Sequence, residues 1–539
     1  MTFRRELALV LAASALVTVA LTYPIAFQMG RIGRVDSGDG KFSIWNVSWV
    51  ARTLVVDPLH VFDANIFYPH RGTLAYSENN LGAGVLAVPV YWATKNPYAA
   101  LNFVVLLGFC LSFIGMYYLV RHLTGDRRAA IVSAIAFAFC PYVFARTAHI
   151  QLLLTAGLPF TMLAFHRLVD RPTPGRGAAL GLVMAAQAYC CGYYGVFDVL
   201  LVGYAVLVVA TNRSLWKAPA FWIAIGAAAV VAIGTVLPAF VPYVRLANLE
   251  GASRTLEQAS SFRANWSSYL ASSAVAHAWM LKYLPRWSDV LFPGFCALIL
   301  GVTGAWVARR QLRGEVTWLY TGLAVLAFWA SFGPPAGLYA VLYWIVPFFA
   351  WLRAPARFGL LVVFSLSVLT GFAVAELLRR VKHPNVLAAA LTIAVIGELF
   401  VTLDIPRVEP FEPVYRTLAA LPDGAVIEMP FYFHEVGIYQ NTRYMLSSTT
   451  HWKPLVNGYS DYIPPDFDQN VETLKFFPRR DAFKILEPNK VRYAVIHLYG
   501  YNEEDRRAEL ARLKEFSQYL KPLYDDSFTQ LYEIVGFPP

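Results

Sequence analysis

Uncharged apolar runs alternate with short polar connections from the start of the chain to about residue 403. The first run, 7–29, is long enough to span a bilayer at about 1.5 Å per residue. Ten more lie near 97–120, 129–145, 150–165, 177–195, 196–211, 218–243, 290–308, 316–332, 357–378 and 385–403. Basic residues fall at every second connection: Arg4/Arg5, Arg121/Arg127/Arg128, Arg167/Arg171/Arg176, Arg213/Lys217, Arg309/Arg310/Arg313 and Arg379/Arg380/Lys382. The short connections between them hold almost none. Run length and charge alternation together predict an α-helical polytopic membrane protein of about eleven transmembrane helices, with a cytoplasmic N-terminus and the C-terminus on the outer side.

Three longer segments then face outward: a first loop at about 30–96, a Ser/Ala-rich segment at about 244–289 and a tail from about 405. "GPPAGLYAVLYWIVPFFAWLRAPARFG", just before the tenth run, is short and broken by prolines, and reads as a re-entrant or interfacial element. In the tail the period changes. "GAVIEMPFYF", "VRYAVIHLYG" and "FTQLYEIV" read as strands, and "NEEDRRAELARLKEFSQYL" as a helix with Leu510, Leu513, Phe516 and Leu520 on one face. The organisation expected is a membrane domain over 1–404 and a small extracytoplasmic α/β domain over 405–539.

Composition sharpens this picture. Apolar residues make up 57% of the 539 and charged residues 15%, against about 25% charged in soluble chains. The formal charge of +10 could suggest a nucleic-acid partner, but its clustering between apolar runs is that of a membrane protein, and nucleic acid is set aside. The five cysteines, Cys110, Cys140, Cys190, Cys191 and Cys296, all lie in apolar segments without metal or disulfide spacing. No phosphate-binding P-loop, nucleophile elbow, H-E-x-x-H helix, paired C-x-x-C or dinucleotide fingerprint is present.

Ionisable groups are costly in hydrocarbon, so polar clusters at helix mouths are the candidates for chemistry. Asp36 and Asp39 in "GRVDSGDGKFSIW" follow the first run directly. A solvated turn explains such a pair taken alone, and the spacing is not that of a calcium-binding EF-hand loop. Their place at the exit of the first helix, followed by "FSIWNVSWV" as an amphipathic aromatic helix suited to the interface, favours function.

The long loop after the first helix, its acidic start, its amphipathic helices, the number of spans and the outer tail resemble the GT-C class of integral-membrane glycosyltransferases. The pieces "DSGDGKFSIW", "FDANIFYPHRGTLAYSE", "LRAPARFG" and "GAVIEMP" are similar to YfhO-like and mannosyltransferase-like bacterial membrane proteins. The resemblance implies a sugar donor linked to polyprenyl phosphate, a glycan, lipid or protein acceptor, and a bacterial inner-membrane location. It implies that an acidic residue of the first loop acts as base, or holds a divalent metal (Mg or Mn) in some members. Carried onto this chain, that residue is Asp39 or Asp36. Ser37 and Gly38 separate the two, where many members have adjacent acids, and Asp39 is preferred because Gly38 and Gly40 would let its backbone approach a substrate.

Arg353 and Arg357 break the charge alternation and suit a clamp on the donor phosphate, or headgroup snorkelling. Glu78, His149, Tyr193 and Tyr194 are further substrate-contact candidates, each with a structural alternative as loop, core or aromatic-belt residue. Glu398, near the middle of the last run, is expected to be protonated or paired with another helix. Asp461 and Tyr462 in "NGYSDYIPPDF" would face a groove toward the membrane, or belong to a turn-rich surface loop. A transporter or flippase of lipid-linked glycan, without catalysis, shares the same layout, as does a scaffold for envelope-glycan assembly.

Overall fold

The computed structural model describes residues 2–539 apart from 251–254, 288, 311–313, 347–348 and 435–436, and only the backbone of 248–250. Arg313 of the fifth basic cluster therefore lies outside the described residues. By internal contacts the chain forms two compact units. A helical unit comprises Met1–Gln28 and Asn102–Asp404, and a loop–tail unit comprises Met29–Leu101 and Ile405–Pro539. The first loop thus belongs with the tail.

Each of the eleven apolar runs carries a helix. Among the described residues, six stretches are long and apolar enough to cross a membrane by length and composition: Pro97–Thr124, Arg127–Phe144, Ile150–Asp170, Gly192–Asn212, Pro219–Ala247 and Pro355–Arg380. The first run forms a shorter helix than expected, Phe3–Leu21, because Pro24 and a 3-10 turn over Ile25–Phe27 end it. The stretch before the tenth run holds, among the described residues, the eight-residue α-helix Leu338–Ile345 and short 3-10 turns, too short to span.

Helix Gly359–Arg380 is the centre of the helical unit. Its membrane-length window is wholly buried, which suits a helix apolar on every face, and Phe295–Arg310, Gly314–Ser331 and Arg127–Ala138 pack around it. Helices Pro174–Cys190 and Pro219–Glu250 approach closely because Gly177 and Gly181 put no side chain against the Ala224 and Ala228 carbonyls. Glu398 is in the last turn of Pro384–Leu399 rather than mid-helix. Its carboxylate accepts the N–H groups of Phe295 and Cys296 and faces His277 Nε2 at 3.1 Å. It pins one helix end to the start of another, where helix N-terminal N–H groups need acceptors.

In the loop–tail unit, β1 (Ala425–Met429), β2 (Val491–His497), β3 (Leu520–Asp525) and β4 (Thr529–Ile534) form one sheet in the order β1-β2-β4-β3. β1 and β2 are parallel and the other pairs antiparallel. Strand β3 was not expected, since "QYL" had been assigned to the preceding helix; that helix ends at Glu515. Leu510 is 38% exposed while Leu513 is buried, so the helix turns Glu509 inward instead.

The first loop is stitched to the tail by backbone and side chains. Phe67 and Tyr68 donate their N–H groups to the Asn457 and Leu455 carbonyls at 3.1 and 2.8 Å, and Asn65 donates to Ser448 Oγ at 3.0 Å. "FSIWNVSWV" lies in helix Gly38–Val56, but not as a surface helix. Ile44, Trp45, Val47 and Val50 are fully buried within this unit, because the segment is apolar on more than one face.

Candidate active site

The candidate carboxylates belong to the loop–tail unit. Ser37 caps helix Gly38–Val56, its Oγ accepting the Gly40 N–H at 3.1 Å. Asp36 pairs with Arg34 at 3.3 Å and is about half exposed. Asp39 stands in the first helical turn, where the partial positive charge of the N-terminus favours an anion. The glycines serve the turn rather than a substrate. A Cβ on Gly40 would collide with the Arg34 carbonyl, and one on Gly38 would press on Tyr439.

Lys41 follows in the same turn. Burial depresses its pKa, with Asp36 opposing and Arg443 adding to the effect. Glu78 is half-buried; its backbone carbonyl accepts from Asn46 Nδ2 at 3.2 Å. Asn46 is two turns beyond Asp39, about 10 Å along the axis, so the Glu78 loop meets the same helix but not beside the aspartates.

Arg443 leads into a buried polar cluster that the sequence reading missed. It pairs with Glu412 Oε1 at 2.8 Å and stacks over Tyr499 at 4.6 Å. Glu412 Oε2 lies 3.3 Å from His497 Nδ1, and His497 Nε2 lies 2.7 Å from Glu428 Oε2. Glu428 and His497 are inaccessible to solvent, and Glu428 Oε1 has no hydrogen-bond partner among the described residues. Burial opposes the charge on His497, yet the two carboxylates outweigh it and hold its pKa above the ordinary imidazole value. Burial likewise opposes the charge on Glu412, but His497, Tyr499 and Arg443 bring it down to about 2. The available signal was Glu428 in an otherwise apolar strand and His497 closing the apolar run "AVIH" of another, a placement that buried strands avoid unless the groups are paired.

The helical unit gathers the other candidates. Arg353 precedes, and Arg357 lies within, the 3-10 turn Pro355–Phe358 that opens helix Gly359–Arg380, about 33 Å long. They are thus at the opposite end from Arg379 and Arg380. The Arg357 guanidinium lies 4.3 Å from the Tyr193 ring, Tyr193 Oη accepts the Ala354 N–H, and Arg353 lies 5.4 Å from the Phe262 ring. Tyr194 donates to the Leu152 carbonyl at 2.9 Å and its hydroxyl is 3.1 Å from that of Tyr142. Arg146, 4.9 Å over the Tyr142 ring and ion-paired with Asp289, is a third arginine at this end. His149 opens the short helix Ile150–Leu153, three residues from Arg146. The unit therefore brings Arg357, Tyr193, Tyr194 and Arg146 into one aromatic and cationic cluster.

A polar cavity of about 420 Å³ lies at the basic-cluster end, lined by His122, His166, Asp170, Arg213 and Glu315. Its charges pair with each other, Arg213 with Glu315 and His122 with Asp170. Among the described residues no three His, Cys, Asp or Glu side chains could hold a metal ion.

Residues 93–238 match the family described as dolichyl-phosphate-mannose-protein mannosyltransferase. Among solved structures, the chain is similar to the arabinofuranosyltransferase AftD from Mycobacteria, with 14% identity and a TM-score of 0.50 over 99% of this chain and 40% of that one. The chain thus spans about 40% of the length of AftD. Weaker likenesses, both at 13% identity and a TM-score of 0.46, are to the archaeal oligosaccharyltransferase AglB from Archaeoglobus fulgidus and to ArnT from Cupriavidus metallidurans. They cover 99% and 100% of this chain and 75% and 100% of those. No curated protein matches the sequence. With helices long and apolar enough to cross a membrane, the chain is similar over residues 93–238 to a membrane mannosyltransferase family and shares its fold with AftD.

Proposed function

We propose that the chain transfers a sugar from a polyprenyl-phosphate-linked donor to a glycan, lipid or protein acceptor on the outer face of a bacterial inner membrane, with the N-terminus cytoplasmic. The observation that carries the proposal is the acidic pair Asp36 and Asp39 at the capped start of helix Gly38–Val56, at the place where the superfamily carries its catalytic acid. The name of the matched family supports the donor class.

In the step proposed, an acceptor hydroxyl oxygen forms a bond to the anomeric carbon while the bond from that carbon to the phosphate oxygen breaks. The electron pair leaves on the phosphate, and the acceptor's proton passes to Asp39. Such a base contributes about 10²–10⁴ in rate. Asp36, engaged by Arg34, holds the turn. Phosphate is a good leaving group, so cations matter more than a general acid, and Arg353 and Arg357 fill that role. Tyr193 positions Arg357 through its ring; Tyr194, His149 and Glu78 are proposed as outer substrate contacts. The two aspartates do not by themselves make a metal site, and no step is routed through one.

The test is sugar transfer from radiolabelled polyprenyl-phosphate sugars in vesicles bearing the wild type, Asp36→Asn, Asp39→Asn or both, at matched membrane levels. Transfer by the wild type and a loss of 10²-fold or more in Asp39→Asn is expected. Full transfer by the double variant would sink the base assignment, and lipid translocation without transfer by the wild type would make the protein a transporter.

A further inference from the structure

Segment 275–287 caps the helical unit at the end away from Arg309, Arg310, Arg379 and Arg380. It holds a 3-10 turn, Val275–His277, and a single α-helical turn, Ala278–Leu281. One side of it is pinned. His277 is buried, with Nδ1 2.7 Å from Ser272 Oγ and Nε2 facing Glu398. The Val275 N–H donates to the Phe400 carbonyl at 2.9 Å, and Met280 is buried. Glu398 also accepts the N–H groups that open helix Phe295–Arg310, so the segment is fixed to the ends of two apolar helices.

The length of those helices sets its depth. Phe295–Arg310 and Pro384–Leu399 have 16 residues each, about 24 Å, against a hydrocarbon core of about 30 Å. Arg309, Arg310, Arg380 and Lys382 hold the far ends in one headgroup layer, because charge is costly in hydrocarbon. The near ends therefore reach no further than the opposite boundary between hydrocarbon and headgroups, and segment 275–287 lies at that boundary.

Its free side suits this depth. Trp279 is 55% exposed, Tyr283 77% and Trp287 43%, and such rings, apolar with one polar tip, favour the boundary. Lys282 and Arg286 are exposed between them, and their side chains make no hydrogen bond or ion pair among the described residues. From 258 to 288 the sequence holds no Asp or Glu. Asp289 is engaged by Arg146, and Glu398 by His277. Two cations thus face the boundary without a counter-charge, at the end where the charge alternation places few. A zwitterionic headgroup brings no net charge to offset them. An anionic one does, at roughly fivefold in affinity per basic residue.

We propose that segment 275–287 is a docking surface for anionic phospholipid. Trp279, Tyr283 and Trp287 sit in the boundary layer, and Lys282 and Arg286 hold the charged headgroup. The proposal rests on the membrane reading of the helices and not on sugar transfer.

The test is photo-crosslinking of the full chain in nanodiscs made from an equal mixture of phosphatidylcholine and phosphatidylglycerol with the same acyl chains. The photoreactive residue p-benzoylphenylalanine replaces Tyr283 or, as a control, Val302, which is exposed midway along helix Phe295–Arg310. Adducts at 283 should be chiefly lipid, with phosphatidylglycerol exceeding phosphatidylcholine about fivefold or more. Lys282→Gln with Arg286→Gln should bring that ratio close to parity at an unchanged total yield of lipid adduct, and adducts at 302 should stand at parity throughout. A smaller ratio at 283, one that the double variant leaves unchanged, the same enrichment at 302, or adducts chiefly to polypeptide would each overturn the proposal.

Discussion

Removing the imidazole of His497 should destabilise the loop–tail unit more than any surface change can. The residue is wedged between two carboxylates, and in His497→Leu the Glu428 side chain keeps only the Tyr415 hydroxyl, at 3.3 Å. Its second oxygen already has no partner among the described residues. Breaking a buried pair by deleting one member costs about 3–5 kcal/mol, and for a unit of about 200 residues each kcal/mol moves Tm by about 2–4 °C. A fall of about 6–20 °C is therefore expected, read by tryptophan fluorescence from Trp45, Trp49 and Trp452, which all lie in this unit. The pH dependence has a definite sign. His497 titrates higher folded than unfolded, so its contribution is complete below the ordinary imidazole value of about 6.5 and is lost as pH rises through the raised one. Wild-type Tm should thus fall above about pH 6.5, and His497→Leu should lose that slope. At the acid end Glu412, lowered to about 2, gives up its contribution as pH falls from its ordinary range toward that value. Replacing both partners, His497→Leu with Glu428→Leu, should recover much of the loss, because no buried charge is then left alone. A variant Tm within about 2 °C of wild type, under 1 kcal/mol on the same scale, would refute the reasoning, as would an unchanged slope.

Three other outcomes follow from the same geometry. Gly40→Ala should open the capped turn against the Arg34 carbonyl and lower sugar transfer without lowering membrane levels, whereas Ala at an open helical glycine would be neutral or stabilising. Arg357→Lys keeps the charge but loses the planar fork over Tyr193; at about 1–2 kcal/mol for a desolvated cation–π contact, donor KM should rise roughly tenfold, with Arg357→Ala worse. Glu509 is buried and its carboxyl is pushed up to about 7 by burial, with Arg512 opposing. Its raised value makes the unit lose stability as pH climbs from the ordinary carboxylate range to about 7, and Glu509→Gln should flatten a pH–Tm curve there by an amount equivalent to about 3 kcal/mol.

What could be read from the sequence was whatever accumulates along the chain. Apolar runs and alternating basic clusters are averages over many residues, and every run carries a helix. Strand patterns survive for the same reason: β1 and β2 are buried at most positions and β4 at three of six. β3 escaped because its burial pattern is mostly exposed, which erases the alternation. The polar chemistry depends instead on single residues meeting across long stretches of chain. Arg146 and Asp289 are 143 residues apart, Glu428 and His497 69, and Asn65 and Ser448 383. No local pattern encodes such partners. Motif logic failed most instructively at Gly38 and Gly40, where small residues beside an acid suggested room for a substrate and in fact make room for the Arg34 carbonyl and Tyr439. That shifts what the motif specifies. The serine and glycines of "DSGDG" build a turn rigid enough to hold two carboxylates in fixed relation, one tied to Arg34 and the other at a helix N-terminus. Two carboxylates so placed differ in surroundings, which is the asymmetry that the proposed division into base and positioning partner calls for.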